Sequence, residues 1–124
     1  MKDFRMEGSR IRPSAFFSVE QGTLTLEGRS LLETAEEVFE PMNRWFDEYV
    51  NRPQQKTTLN IALEYFNSST AKALIRFLVI AKKIKDKSNL IINFYYDDEN
   101  VLEYGKDFSE VVDIPFNFIE KNYH

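Results

Sequence analysis

The sequence contains no cysteine and only one histidine, His124, so several kinds of chemistry lack their usual side chains. Without cysteine the chain cannot form a disulfide, a thiolate metal site or a cysteine nucleophile. A lone histidine gives almost no support to histidine-based catalysis or to a zinc site. The lack of cysteine also fits a reducing compartment, so we expect a cytoplasmic protein.

Long apolar runs and an excess of positive charge are also missing. No apolar run approaches the ~20 residues that a transmembrane helix needs, and residues 1–17 lack the apolar core of a signal peptide. The formal net charge is −4, whereas proteins that bind nucleic acids or anionic membranes are usually basic. We therefore expect no nucleic-acid and no membrane partner.

The composition is that of a folded protein with an aromatic core. Of the 124 residues, 43% are hydrophobic and 29% are charged, and the aromatic residues are mainly phenylalanine and tyrosine. This length fits one core, so the sequence predicts a single domain over residues 1–124. The polar residues 1–12 are expected to form a loose N-terminal lead-in.

The hydrophobic pattern changes period several times along the chain, which predicts an α/β fold. Strands are predicted at 14–20, 23–29, 57–66, 89–96 and 113–120, and helices are predicted to begin near Thr34, Ser68 and Asp97. The order β-β-α-β-α-β-α-β implies a mixed, mostly parallel sheet that is faced by helices. The short Gln21-Gly22 link predicts a hairpin between the first two strands.

Local signals add detail to this outline. Thr34 and Glu37 have the spacing of a capping box, and Pro41 is expected to kink the first helix or to start a second segment. Nearly all residues of 89–96 are apolar, which predicts a central strand that is covered on both faces.

An acidic cluster, Asp97, Asp98 and Glu99, follows this apolar strand. α/β sheets often bind ligands at the carboxyl ends of their strands, and adjacent aspartates can hold a hard cation such as Mg²⁺. The same residues are also good caps for the helix that follows. No glycine-rich phosphate loop accompanies them, so the sequence leaves both interpretations open.

Three adjacent hydroxyl residues, Ser68, Ser69 and Thr70, follow Asn67 at a strand-to-helix corner. Asn67 or a serine could simply cap the helix. A nucleophilic serine needs a base, a histidine or lysine, within hydrogen-bond reach, and the sequence pattern does not indicate one for these hydroxyls, so a serine hydrolase is disfavoured. A phosphate at this corner would meet unpaired N–H groups and the positive end of the helix dipole. The corner is therefore either a cap or a phosphorylation switch.

The sequence resembles the SiaC family of bacterial regulatory phosphoproteins from about Ile11 to Ile119. The order of elements is also similar to the STAS fold of anti-anti-sigma factors, which carry a phosphorylatable serine at the corresponding corner. The segments that carry the resemblance are LTLEGRS, FEPMNRWFDEYV, LEYFNSSTAKAL, INFYYDDENVLEYGKDF and IPFNFIE.

The resemblance implies a non-enzymatic adaptor that uses no cofactor or metal. A serine/threonine protein kinase would phosphorylate it and a PP2C-type phosphatase would reverse the reaction. The unphosphorylated form would bind and activate a diguanylate cyclase, which raises cyclic di-GMP and promotes aggregation or biofilm formation. The implied acceptor is Ser68, with Ser69 and Thr70 as the fallback acceptors.

Other residues are expected to support this switch. Asn67 would shape the corner, Lys72 and Arg76 would contact the phosphate or an acidic partner, and Asp97 and Asp98 would belong to the same recognition face.

The sequence departs from anti-anti-sigma factors, which have an aspartate before the acceptor and a glycine soon after it. Asn67 and Thr70 stand at those positions, which favours the SiaC branch. SiaC itself has a threonine acceptor where this chain has Ser68. Two alternatives stay open: an antagonist of an anti-sigma kinase, and a small metal- or ligand-binding enzyme that uses the acidic cluster.

Overall fold

The computed structural model describes residues 1–124, which form one six-stranded sheet and three helices. The strands are β1 (Phe4–Met6), β2 (Ser14–Ser18), β3 (Thr23–Ser30), β4 (Lys56–Phe66), β5 (Asn89–Tyr96) and β6 (Asn117–Glu120). The helices are α1 (Ala35–Tyr49), α2 (Ser68–Lys82) and α3 (Glu99–Val112). None of these helices combines the length and the apolar character needed to cross a bilayer.

The strands lie side by side in chain order, from β1 to β6. β1 pairs with β2 and β2 with β3 in antiparallel fashion, whereas the three pairs from β3 to β6 are parallel. The predicted α/β class with a mixed, mostly parallel sheet is therefore confirmed. The predicted hairpin is also present, although its connection is four residues long rather than two.

All three helices cover the same face of the sheet. Consecutive parallel strands that are joined by crossovers of one hand place every helix on one side. The burial of β4 agrees with this arrangement, since Leu59, Ile61 and Leu63 are buried under the helices while Asn60 and Glu64, on the opposite face, are partly exposed. One cluster of 30 buried residues forms the core between the sheet and the helices.

The other face of the sheet carries no helix, so the prediction that strand 89–96 is covered on both faces is wrong. A ladder of side-chain hydrogen bonds crosses this face. Asn117 donates to Asn93 (3.1 Å), Asn93 donates to Asn60 (2.9 Å), and Asn60 donates to Thr25 (3.3 Å). The four residues are neighbours in the strand register, and β5 is the second strand from the edge rather than a central one.

The N-terminal residues are not the loose lead-in that their polarity predicts. Residues Phe4–Met6 form β1 and pair with β2. The Phe4 ring stacks on Phe17 at 5.2 Å, and the Trp45 indole N–H donates to the Lys2 carbonyl at 2.7 Å. These contacts are distant in sequence, which is why local composition does not reveal them.

Helix α1 differs from its prediction in two respects. Thr34 makes no side-chain capping bond, so the predicted capping box is absent. The helix also runs unbroken through Pro41, so no second segment begins there. The side chain that enters the core in the second turn is Phe39, which is fully buried, whereas its neighbour Val38 is only partly buried.

The C-terminal part of the chain also shifts from its prediction. The helical spacing predicts one apolar stripe in α3, made of Val101, Tyr104, Phe108 and Val111. Val101 and Phe108 are buried, but in the last turn Val112 is buried and Val111 is 61% exposed. The last strand is only Asn117–Glu120, because the chain first passes through Asp113, whose φ of 55° ends the helix in the left-handed region.

Candidate functional site

Thr70 is the most deeply buried of the three hydroxyl residues at the start of α2, with 0% exposure. Its hydroxyl donates to Asn67 Oδ1 at 2.8 Å and accepts from the Ser30 hydroxyl at 2.6 Å. A hydroxyl enclosed in this way serves as a structural anchor between α2 and β3. A kinase cannot reach it without local unfolding.

Asn67 organises the corner with both ends of its side chain. Its Oδ1 accepts the Thr70 N–H at 3.0 Å, which makes Asn67 the cap of α2. Its Nδ2 donates to the Leu32 carbonyl at 3.0 Å. An aspartate, which has no N–H to donate, would lose this second contact. The predicted shaping role of Asn67 therefore has a structural basis.

Ser69 caps a different helix from its own. Its Oγ accepts a hydrogen bond from the Ala35 N–H at 3.0 Å, at the first turn of α1. This contact supplies an acceptor that Thr34 does not supply. Ser69 is partly buried, so its hydroxyl is both occupied and less accessible than that of Ser68.

Ser68 is the exposed member of the three, and its hydroxyl makes no side-chain hydrogen bond within the chain. It is the first residue of α2, where backbone N–H groups lack helical partners and the dipole favours negative charge. The three hydroxyls thus have three different environments, and only that of Ser68 leaves the oxygen free for modification.

Two clefts lie on either side of Ser68. The first, which we call the aromatic cleft, has a volume of about 610 Å³ and separates the start of α2 from α3. Tyr65, Phe66 and Tyr104 supply its aromatic surface. Its remaining lining residues are polar or acidic: Asn67, Ser68, Asn100, Glu103 and Asp107.

The second cleft, which we call the helix-start cleft, has a volume of about 350 Å³ and lies between the starts of α1 and α2. It brings Lys72 to the same surface as Ser68, and the expected contact of Lys72 with a phosphate on Ser68 stays a prediction. The other residues that line it are Glu33, Thr34, Glu36 and Ser69. Ser68 therefore stands on a ridge with carboxylates on both sides and one lysine beside it.

Arg76 is placed differently from Lys72. Its guanidinium lies 3.8 Å from Glu36 and lines a separate cleft between α1 and α2. The structure therefore does not bring Arg76 to either cleft that Ser68 lines. Its predicted contact with a phosphate on Ser68 stays a prediction.

Asp97 and Asp98 line a fourth cleft, together with Glu64, Tyr65 and His124. Asp98 caps α3, since its Oδ1 accepts the Asn100 N–H. No group of three or more histidine, cysteine, aspartate or glutamate side chains is placed to hold a metal ion. Tyr65 lines both this cleft and the aromatic cleft, so the acidic corner adjoins the hydroxyl corner.

Strict alternation along 57–66 predicts that Tyr65 lies on the same face as Leu59, Ile61 and Leu63, yet those three residues are buried and Tyr65 is 50% exposed. The pairing of β3 with β4 explains the difference, because Gly28 pairs with Leu63 whereas the next residue, Arg29, pairs with Tyr65. This bulge adds one residue to β4 and reverses the alternation beyond it. Tyr65 then points outward, while Phe66 is buried.

A charged cluster lies beside the acidic corner, on the helix-free side of the sheet. Arg29 donates two hydrogen bonds to Glu64, at 3.1 and 3.2 Å, and His124 Nε2 lies 2.9 Å from the same carboxylate. The Arg29 hydrogen bonds hold the pKa of Glu64 below its ordinary value. Burial, together with nearby Glu64 and Asp97, raises the pKa of Tyr123 to about 12.

The chain belongs to the SiaC family of regulatory phosphoproteins, because the sequence model of that family matches residues 6–121. It is accordingly a regulatory protein rather than an enzyme. Its sequence is also 25% identical, over 94% of both chains, to an uncharacterized protein of Pseudomonas aeruginosa.

Solved structures show the same fold. Apo-SiaC from Pseudomonas aeruginosa superposes with a TM-score of 0.83 at 25% identity, over 98% of this chain and all of that one. In a second crystal structure from that organism, SiaC is the activator in a complex with the diguanylate cyclase SiaD. That SiaC superposes with a TM-score of 0.86 at 24% identity, over 96% of this chain and all of the other.

Proposed function

We propose that this protein is a phosphorylation-controlled adaptor whose switch residue is Ser68. A serine/threonine kinase adds the phosphate and a PP2C-type phosphatase removes it. The unphosphorylated form binds and activates a diguanylate cyclase. The observation that carries the proposal is the difference between the three hydroxyls: Thr70 is buried, Ser69 is hydrogen-bonded to α1, and Ser68 is exposed and unbonded.

The charge around Ser68 supports a switch. A phosphate adds about −1.5 to −2 charges at neutral pH. Free N–H groups at the start of α2 and the lysine in the helix-start cleft favour this charge locally. The carboxylates that line both clefts make the same surface strongly negative once the phosphate is present, so a partner would meet a different electrostatic surface in each state.

The choice of a cyclase as the target is supported by the family and by the fold. SiaC of Pseudomonas aeruginosa, which shares this fold, is the activator in a complex with a diguanylate cyclase. The family match supports this target over an anti-sigma kinase.

The test begins with phosphopeptide mass spectrometry of the protein from its native host. We expect one phosphate on the peptide that contains residues 64–72, and we expect Ser68→Ala to remove it. Thr34→Ala is the matched control, because Thr34 lines the same cleft and has no side-chain capping bond. A phosphate that persists in Ser68→Ala, or that disappears in Thr34→Ala, would contradict the assignment of the acceptor.

The target is tested with purified diguanylate cyclase from the same host. Unphosphorylated protein and Ser68→Ala should bind the cyclase and raise its turnover. Stoichiometrically phosphorylated protein should do neither. Equal activation by both forms would exclude the switch, and no binding by either form would exclude the cyclase as the target.

A further inference from the structure

The aromatic cleft combines two features that point to the chemistry of its partner. The first is exposed aromatic surface next to Ser68: Tyr65 is 50% exposed and Tyr104 is 38% exposed. The Tyr104 ring packs against Phe66 with its centroid at 5.2 Å, so it is held in place by the core rather than free in solvent. An exposed ring that is held in place beside the proposed switch residue is a typical anchor of a protein interface.

The second feature is the charge at the rim of this cleft. Asp107 forms no ion pair, and Glu103 is paired only with Lys106, at 3.5 Å and at the exposed surface. No cationic side chain lines the cleft. A pocket with aromatic walls and an anionic rim suits a guanidinium group, which stacks on aromatic faces and donates to carboxylates.

We propose that the aromatic cleft is the docking site for an arginine side chain from a basic segment of the partner protein. The guanidinium stacks on Tyr104 and donates to Asp107, and the rest of the segment covers Ser68. The inference rests on the proposed function for the partner's role in signalling. The chemistry of the cleft is testable without that partner.

This docking mode also accounts for the effect of a phosphate. A segment that enters the cleft removes Ser68 from water, so a phosphate there would be buried beside the carboxylates of Glu103 and Asp107. One guanidinium cannot balance a dianion and two carboxylates together. Burial of unbalanced charge is strongly unfavourable, and the unphosphorylated state is therefore the one that binds.

The first test uses a peptide and the full, unphosphorylated chain. The probe is acetyl-Leu-Arg-Leu-amide, and its matched control carries citrulline, which has nearly the same shape without the charge. Amide chemical shifts are followed during titration. We expect saturable shifts at Ser68, Asn100 and Tyr104, with roughly tenfold weaker binding of the citrulline peptide. Shifts elsewhere, or equal binding of both peptides, would overturn the proposal.

Two variants locate the interaction on the rim. Asp107→Asn should weaken binding of the arginine peptide roughly threefold to tenfold. Glu110→Gln is the matched control, because Glu110 is an exposed carboxylate of the same helix that does not line the cleft. An equal loss of affinity for the arginine peptide in the two variants would indicate general charge attraction rather than docking in the cleft, and would overturn the proposal.

The same variants separate this inference from the proposed function. If the cyclase binds Asp107→Asn as well as it binds the unaltered protein, the docking site is wrong and the adaptor function stands. If the peptide binds in the cleft as expected but no cyclase binds in any phosphorylation state, the adaptor's target is wrong and the chemistry of the cleft stands.

Discussion

The Ser69 hydroxyl accepts a hydrogen bond from the Ala35 N–H, and this contact joins the first turn of α2 to the first turn of α1. The two residues are 34 positions apart. Ser69 follows the proposed phosphate acceptor directly, so a rearrangement at Ser68 would act on the start of α1 as well. The N-terminal ends of two helices therefore form one structural unit at the corner.

Replacement of Ser69 by alanine is expected to loosen the start of α1. The change removes the acceptor of the Ala35 N–H, and a lost helix cap costs about 0.5–2 kcal/mol. Hydrogen exchange should show faster exchange at Ala35 than in the unaltered protein. Thr34→Ala is the control, because the Thr34 side chain makes no capping bond. A larger increase in hydrogen exchange at Ala35 in Thr34→Ala than in Ser69→Ala would contradict this account of the cap.

The buried hydroxyl of Thr70 is expected to contribute to stability far more than that of Ser68. Thr70→Val keeps the shape but leaves the Ser30 hydroxyl without its partner and removes one of the two hydrogen bonds that Asn67 Oδ1 accepts. An unsatisfied buried polar group costs about 1–3 kcal/mol. Ser68→Ala should change the free energy of unfolding by less than about 0.5 kcal/mol. Urea denaturation of both variants measures the free energy of unfolding. An equal decrease in the two variants would contradict the larger contribution of the Thr70 hydroxyl.

Gly105 is expected to tolerate no larger side chain. An added Cβ would lie 2.6 Å from the fully buried Phe94 ring, beneath α3. Overpacking of a core costs about 1–3 kcal/mol, whereas alanine gains about 1 kcal/mol of helix propensity over glycine. We therefore expect Gly105→Ala to destabilise the protein in chemical denaturation. Lys106→Ala, at the next and exposed position, should be close to neutral; a stabilised Gly105→Ala would refute the close packing.

Tyr123 is expected to make stability fall in alkaline solution. Its pKa in the folded protein is about 12, against an ordinary value of 10.0. Below pH 10 both states keep the phenol proton, so its contribution is fully present. Between pH 10 and 12 the unfolded chain loses this proton first, and the free energy of unfolding falls as pH rises. Tyr123→Phe should remove the part of this decrease in the free energy of unfolding that comes from the phenol group.

The measurement is urea denaturation of both proteins at several pH values from 8 to 11.5. The difference between them isolates Tyr123 from the lysines, which titrate in the same range. Parallel curves over the whole range would contradict the raised pKa of Tyr123.

Much of the fold follows from short-range pattern. Alternation and helical spacing located the strands from β2 to β5 and all three helices, because those periods depend only on near neighbours. The errors occurred where distant contacts decide. β1 exists because it pairs with β2, and Tyr65 points outward because a bulge opposite Gly28 and Arg29 reverses the strand.

The same division applies to the site. The sequence alone determined that three hydroxyls follow an asparagine at the start of a helix, since that depends on local order. The environment of each hydroxyl, in contrast, depends on contacts between distant parts of the chain. The Ser30 hydroxyl of β3 is hydrogen-bonded to the Thr70 hydroxyl, and the Ala35 N–H of α1 donates to the Ser69 hydroxyl. Ser68 instead borders the cleft between α2 and α3. Burial and hydrogen bonding are properties of the packed molecule, and these partners come together only when the chain folds.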